Sequence, residues 1–143
     1  MHLTNKPYLK RENIDYYLEK LSLLMLKGRN KKATIYIMGG ACMAMLYDGH
    51  RSTVDIDIAT KDNNLSNLYC EAVANREGIP KDWINSDVML SESFSIRLFD
   101  RALFYKSFNG VLDTYLIDDI DLLCMKLVSF RQKDVRDIKI QRY

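Results

Sequence analysis

Residues 34–58 read TIYIMGGACMAMLYDGHRSTVDIDI, and the fold turns on this stretch. Thr34 to Met38 is a short apolar run with β-branched residues, the pattern of a buried strand. Gly39-Gly40 breaks it. Ala41 to Asp48 is apolar nearly all round and reads as a short buried helix, with Gly49 just past its end. His50 to Thr53 is a polar loop. Val54 to Ile58 then alternates apolar and acidic residues, which predicts a second strand. On such a strand Val54, Ile56 and Ile58 pack inward, and Asp55 and Asp57 share the opposite face with Cα atoms about 6.5–7 Å apart.

The flanking sequence extends the pattern to both ends. Upstream, Ile14, Tyr17, Leu18, Leu21, Leu24 and Met25 fall at helical spacing, so a helix is expected from Arg11 to Lys27, stopped by Gly28. Downstream, Leu65, Leu68, Tyr69, Ala72 and Val73 form one face of another helix, with Asn63 or Asn64 as its cap and Gly78 as its end. Ile79 to Ser86 holds Pro80 and the single tryptophan, Trp83, and reads as an irregular connector. Strands are expected within Phe94 to Phe108. Asn109-Gly110 between two apolar runs predicts a type I′ hairpin. Asp118 caps a helix running to about Phe130 with Ile120, Leu123 and Leu127 inside, and Lys133 to Tyr143 starts one more. The order is mixed α/β (α+β), a small mixed sheet flanked by helices and one domain over residues 1–143.

Composition agrees. The chain has 143 residues, 48% hydrophobic and 28% charged, as in ordinary globular proteins. Lys and Arg number 21 against 19 Asp and Glu, a net charge of +2, which argues against gripping nucleic acid by bulk charge. No apolar run approaches the roughly 18 residues of a spanning helix. The N-terminus has no apolar signal core, so a cytoplasmic protein with no membrane is expected. Cys42, Cys70 and Cys124 are widely spaced, which suits a reducing compartment and gives no zinc motif.

Two carboxylates on one strand face repel unless a cation lies between them. Hard oxygen ligands favour Mg²⁺ or Mn²⁺, ions that also bind substrate phosphates. The wet face of an amphipathic strand gives the same alternation with no metal at all. Glycines before a helix N-terminus let backbone N–H groups approach a phosphate; a tight strand-to-helix turn also uses them. Neither a Walker A loop nor a GxGxxG fingerprint is present.

Met38-Gly39-Gly40-Ala41 followed by Arg51-Ser52-Thr53-Val54-Asp55-Ile56-Asp57 resembles the signature of the polymerase-β-like nucleotidyltransferase superfamily. The form resembles more closely the minimal nucleotidyltransferase-like proteins of bacteria, which include the abortive-infection type, toxins of toxin–antitoxin pairs. Gly78-Ile79-Pro80-Lys81-Asp82-Trp83-Ile84-Asn85 is similar to a connector in those relatives. So is the segment from Lys126 through Arg131-Gln132-Lys133-Asp134-Val135-Arg136-Asp137. The resemblance implies that Asp55 and Asp57 hold the metal, that Gly39 and Gly40 admit the β- and γ-phosphates, and that Arg51 and Lys126 hold phosphate. It makes Asp134 or Asp137 a catalytic or orienting carboxylate. Superfamily enzymes commonly add a third carboxylate on a neighbouring strand; Asp113 is the first candidate here and Asp87 the second. The implied reaction moves a nucleotidyl group from an NTP to a hydroxyl of RNA (tRNA) or protein, with an antitoxin as a further partner. Without the third carboxylate, the same fold would serve as a non-catalytic binding protein.

Each of these residues also has a plainer reading. Arg51 fits a polar surface loop. Lys126 fits a helix lysine reaching water, and Asp134 and Asp137 fit a helix start. The Lys27–Lys32 basic cluster fits a solvated loop, although a tRNA substrate would use such a patch. A haloacid-dehalogenase-type phosphatase also uses Asp-x-Asp, but Ala59 and the polar residues before Val54 depart from its pattern. Metal-binding glycosyltransferases that use this motif are usually larger.

Overall fold

The strand Ala33–Met38 (β1) is the centre around which the computed structural model is built. It pairs antiparallel with β2 (Ile56–Thr60) and parallel with β5 (Leu112–Leu116). The sheet is completed by β3 (Ile84–Asn85), parallel to β2, and β4 (Leu103–Phe108), antiparallel to β5, in the order β3-β2-β1-β5-β4. Among the described residues four helices accompany it: α1 (Arg11–Lys27), α2 (Gly39–Leu46), α3 (Asn67–Glu77) and α4 (Asp119–Ser129). The structure describes residues 8–47 and 52–129. The fold is mixed α/β, a five-stranded mixed sheet flanked by helices. No helix among the described residues is long and apolar enough to cross a membrane.

Register assigns the two faces of the sheet. Ile35 and Ile37 share a face with Ile58, Leu112, Thr114 and Leu116, all buried. Beside them α1 contributes Ile14, Leu18, Leu21 and Met25 to the core, and α1 contacts both α2 and α3. Each such aliphatic chain, fully buried, contributes about 1.5–3 kcal/mol. The opposite face carries Asp57, Met38, Tyr36, Tyr115 and Asp113. Tyr36 stacks there on Tyr115, and on Phe99 from the 3₁₀ turn Ile96–Arg101, with centroids 5.1 and 4.1 Å away.

Several elements match the expectations from sequence. α1 occupies Arg11–Lys27, with Gly28 at its C-cap. Asn109 and Gly110 both adopt positive φ (53° and 69°), as a type I′ turn requires. Gly78 ends α3 in the left-handed region, and Asp118 accepts the N–H groups of Ile120 and Asp121 at the start of α4.

Other elements depart from expectation for physical reasons. α2 begins at Gly39, so the glycines open the helix rather than preceding it; Asp48 and Gly49 lie outside the described residues. β2 begins at Ile56, so Asp55 precedes the strand and Val54 is exposed rather than core. The cap of α3 is Ser66, whose hydroxyl accepts from Leu68 N, while Asn64 instead donates to the Lys32 carbonyl. The inward face of α3 is Cys70, Val73 and Ala74, and Leu68 is exposed. The connector contains β3, because Trp83 is buried and anchors it: Nε1 donates to the Cys70 carbonyl at 2.9 Å. Of Phe94 to Phe108, only Leu103 onward is strand. On α4 the phase is rotated. Leu122 and Met125 are buried, with Asp121 beside them in a bidentate ion pair from Arg101, whereas Ile120, Leu123 and Leu127 are exposed.

Candidate functional site

Gly39 sits where β1 becomes α2, with φ +58°, in a region that L side chains rarely adopt. A Cβ there would lie 2.5 Å from Asp57 Oδ2. Across the β1–β2 ladder Met38 pairs with Asp57, so the sheet register delivers this carboxylate to the first turn of α2. The helix N-terminus has unpaired N–H groups and partial positive charge, which suits an anion. Gly40 is equally tight against another neighbour: a Cβ there would meet Thr53 Oγ1 at 2.8 Å. A side chain at either glycine would therefore force the neighbouring Asp57 or Thr53 side chain to shift.

The segment before β2 is pinned from two sides. Leu9 and Thr53 exchange backbone hydrogen bonds of 2.6 and 2.9 Å. Thr53 Oγ1 donates to the Asp55 carbonyl at 3.1 Å. The Asp55 carboxylate accepts from Asn85 Nδ2 at 3.4 Å.

A cleft of about 580 Å³ opens over the glycines. Its walls include Gly39, Gly40, Met43, Ser52 and Asp57 from the first half of the chain. Asp87, Ser91, Glu92 and Ser93 come from a second 3₁₀ turn, Asp87–Leu90, and the residues after it, and Leu122, Met125, Lys126 and Val128 from α4. Lys126 is exposed, and it shares the cleft with Asp57 although 69 positions separate them. Cys42 lies one turn into α2, but burial pushes its thiol up to about 12 and it donates to the Ile117 carbonyl. It is thereby excluded as a nucleophile at neutral pH.

The structure brings together Gly39, Gly40, Asp57 and Lys126, and adds Asp87. Asp55 is not among the residues lining the cleft. Arg51, Asp134 and Asp137 lie outside the described residues. Asp113 goes elsewhere. It pairs with Thr34, four residues back along β1 from Met38, so it sits about 13 Å away along the strand. Lys32 Nζ holds it at 2.9 Å. Burial alone would raise its pKa, but hydrogen bonding from Ser107 and the Lys32 ammonium outweigh that and hold the carboxyl below the usual range. Just past β5, buried Ile117 donates its backbone N–H to the Ile37 carbonyl at 3.2 Å. Glu92 and the serines carried no motif; only the folding of the 3₁₀ segment over β2 brings them in.

Residues 17–142 match the model of a family described as nucleotidyltransferase of unknown function (DUF6036). The chain belongs to this family. No curated protein and no solved structure matches the chain. The family description agrees with a nucleotidyltransferase-like sheet whose glycine pair and Asp57 meet at the start of α2. In this nucleotidyltransferase-family protein, the cleft that combines that corner with Lys126 is the candidate active site.

Proposed function

We propose that the protein transfers a nucleotidyl group from an NTP to a hydroxyl of RNA, such as tRNA, or of a protein, with Mg²⁺ or Mn²⁺. The observation that carries this is the close approach of Asp57 to Gly39 at the N-terminus of α2, in one cleft with Lys126.

A divalent ion fits this donor set in one particular way. Among the described residues no three His, Cys, Asp or Glu side chains are grouped to hold an ion. Mg²⁺ commonly uses one or two carboxylates and takes its remaining ligands from water and substrate phosphates. Asp57 and Asp55 are the two carboxylates suited to that role. When bound, the ion neutralises charge on the triphosphate and orients it. The chain's own residues do the rest. The first-turn N–H groups of α2 and the Lys126 ammonium hold phosphate oxygens. The acceptor hydroxyl oxygen bonds to the α-phosphorus, the bond to the bridging oxygen breaks, and pyrophosphate leaves with that electron pair. Asp87, in the same cleft, takes the hydroxyl proton. Arg51 serves as a further phosphate contact, and Asp134 or Asp137 as an orienting carboxylate. In the cell we place this activity in the cytoplasm, as the toxin of a toxin–antitoxin pair whose antitoxin is the protein partner.

Labelled NTPs incubated with Mg²⁺ and total tRNA test the reading. Labelled RNA or protein and free pyrophosphate are expected, and Asp57→Asn or Asp55→Asn abolishes both. Unchanged turnover and Mg²⁺–NTP affinity in both variants would overturn it. A second reading, a non-catalytic binding protein, is favoured by one observation: Asp113, the acid on the strand beside β1, is tied to Lys32 and lies away from the Asp57 corner. Tight NTP binding without product for any NTP would select it.

A further inference from the structure

Asp55 precedes β2, so strand pleating does not aim its side chain. Something else must hold that carboxylate, and the described contact is with Asn85. Asn85 is the register partner of Asp57 across β2–β3. Its Oδ1 accepts the backbone N–H of Asp87 at 3.2 Å. With Oδ1 on that N–H, the NH₂ end of the amide faces Asp55 Oδ2 at 3.4 Å and the Asp82 carbonyl at 3.2 Å. One neutral amide thus touches Asp55, adjoins Asp57 and fixes the backbone of Asp87. Neutrality matters here. A lysine or arginine would compete with a cation for the carboxylates, and another acid would repel them.

We propose that Asn85 is the positioning residue of the acidic site, holding Asp55 at the orientation from which it joins Asp57 on one divalent ion. This rests on the reading that the two aspartates bind metal. Outer groups that orient metal ligands typically contribute 10- to 100-fold in affinity.

The test is Mn²⁺ titration of the full chain, followed by calorimetry and by the loss of free-ion paramagnetic signal. Asn85→Ala is expected to weaken Mn²⁺ binding about tenfold, and Asp55→Ala at least as much. The double variant should bind no more weakly than Asp55→Ala alone, because Asn85 acts through Asp55. A purely architectural role would make the two losses additive, and additivity, or unchanged affinity in Asn85→Ala, would overturn the proposal. If circular dichroism shows Asn85→Ala unfolded, Asn85→Leu keeps the volume and replaces it in the same cycle. Should both unfold, Asn85 is architectural and the proposal falls. Asp57→Asn separates the two claims: if it and Asp55→Ala both bind Mn²⁺ like the parent, the metal reading itself fails.

Discussion

At Gly39 two constraints meet, a positive φ and a carboxylate where a side chain would be. Gly78 has a similar φ (+69°), but nothing lies within 4 Å of the point a Cβ would occupy. The pair separates backbone strain from crowding. Gly78→Ala should cost about 1–2 kcal/mol, the left-handed penalty alone. Gly39→Ala should cost more and displace Asp57, so urea titration should show the larger loss, with weaker Mn²⁺ binding in Gly39→Ala only. Asp113 supplies a pH prediction. Its folded pKa is held low, so its contribution to stability is present above the unfolded value near 3.9 and is lost as pH falls through the folded one. Lys32→Met leaves burial unopposed by the ammonium and raises that folded pKa. The acid-unfolding midpoint should therefore move to higher pH, readable by far-UV circular dichroism.

At the scale of elements, the β4–β5 hairpin is tied to α1 through its turn. Asn109 Nδ2 donates to Glu19 Oε2 at 3.0 Å and to Ser22 Oγ at 2.8 Å. Asn109→Ala removes both bonds and places alanine at φ 53°, so a loss of about 2 kcal/mol is expected in denaturant unfolding. Much of this layer was legible in the sequence. Helical periodicity with a glycine stop marked α1, and Asn-Gly marked the hairpin, because both signals are local. The phase of α4 was not. Ile120, Leu123 and Leu127 are apolar, yet they face outward. Leu122 and Met125 are equally apolar, so hydrophobicity alone leaves the rotation undetermined. The ion pair between Arg101 and Asp121 spans 20 positions and no sequence window contains it. The start of β2 failed similarly: alternation suggested Val54, but sheet pairing begins at Ile56.

At the scale of the whole molecule, the cleft depends on a parallel pairing between strands remote in sequence. Ala33 pairs with Leu112, and only after β5 can the chain carry Lys126 back over α2. A ligand bridging these parts stabilises them all. At a hundredfold excess over Kd, binding to the native state alone adds about 2.7 kcal/mol. Mg²⁺ with the preferred NTP should raise Tm by several degrees in differential scanning fluorimetry. EDTA should abolish the shift, as should Asp57→Asn. A shift that survives both would mean that the nucleotide binds away from this corner.

The sequence by itself determined the types of the main helices and central strands, the glycine pair, the acidic pair and the family-like spacing between them. Those are short-range properties, set by periodicity, backbone freedom and side-chain alternation. Tertiary structure alone decided which acids meet. Asp113 looked well placed on its strand, but register sends it to the far end of β1 and Lys32 neutralises it there. Asp87 was only the second candidate, just past a connector read as irregular, but that connector pairs with β2 as an edge strand and Asp87 lines the cleft. The physical reason is the same in both cases: residue type and spacing set what a side chain can do, while strand register sets what it can reach.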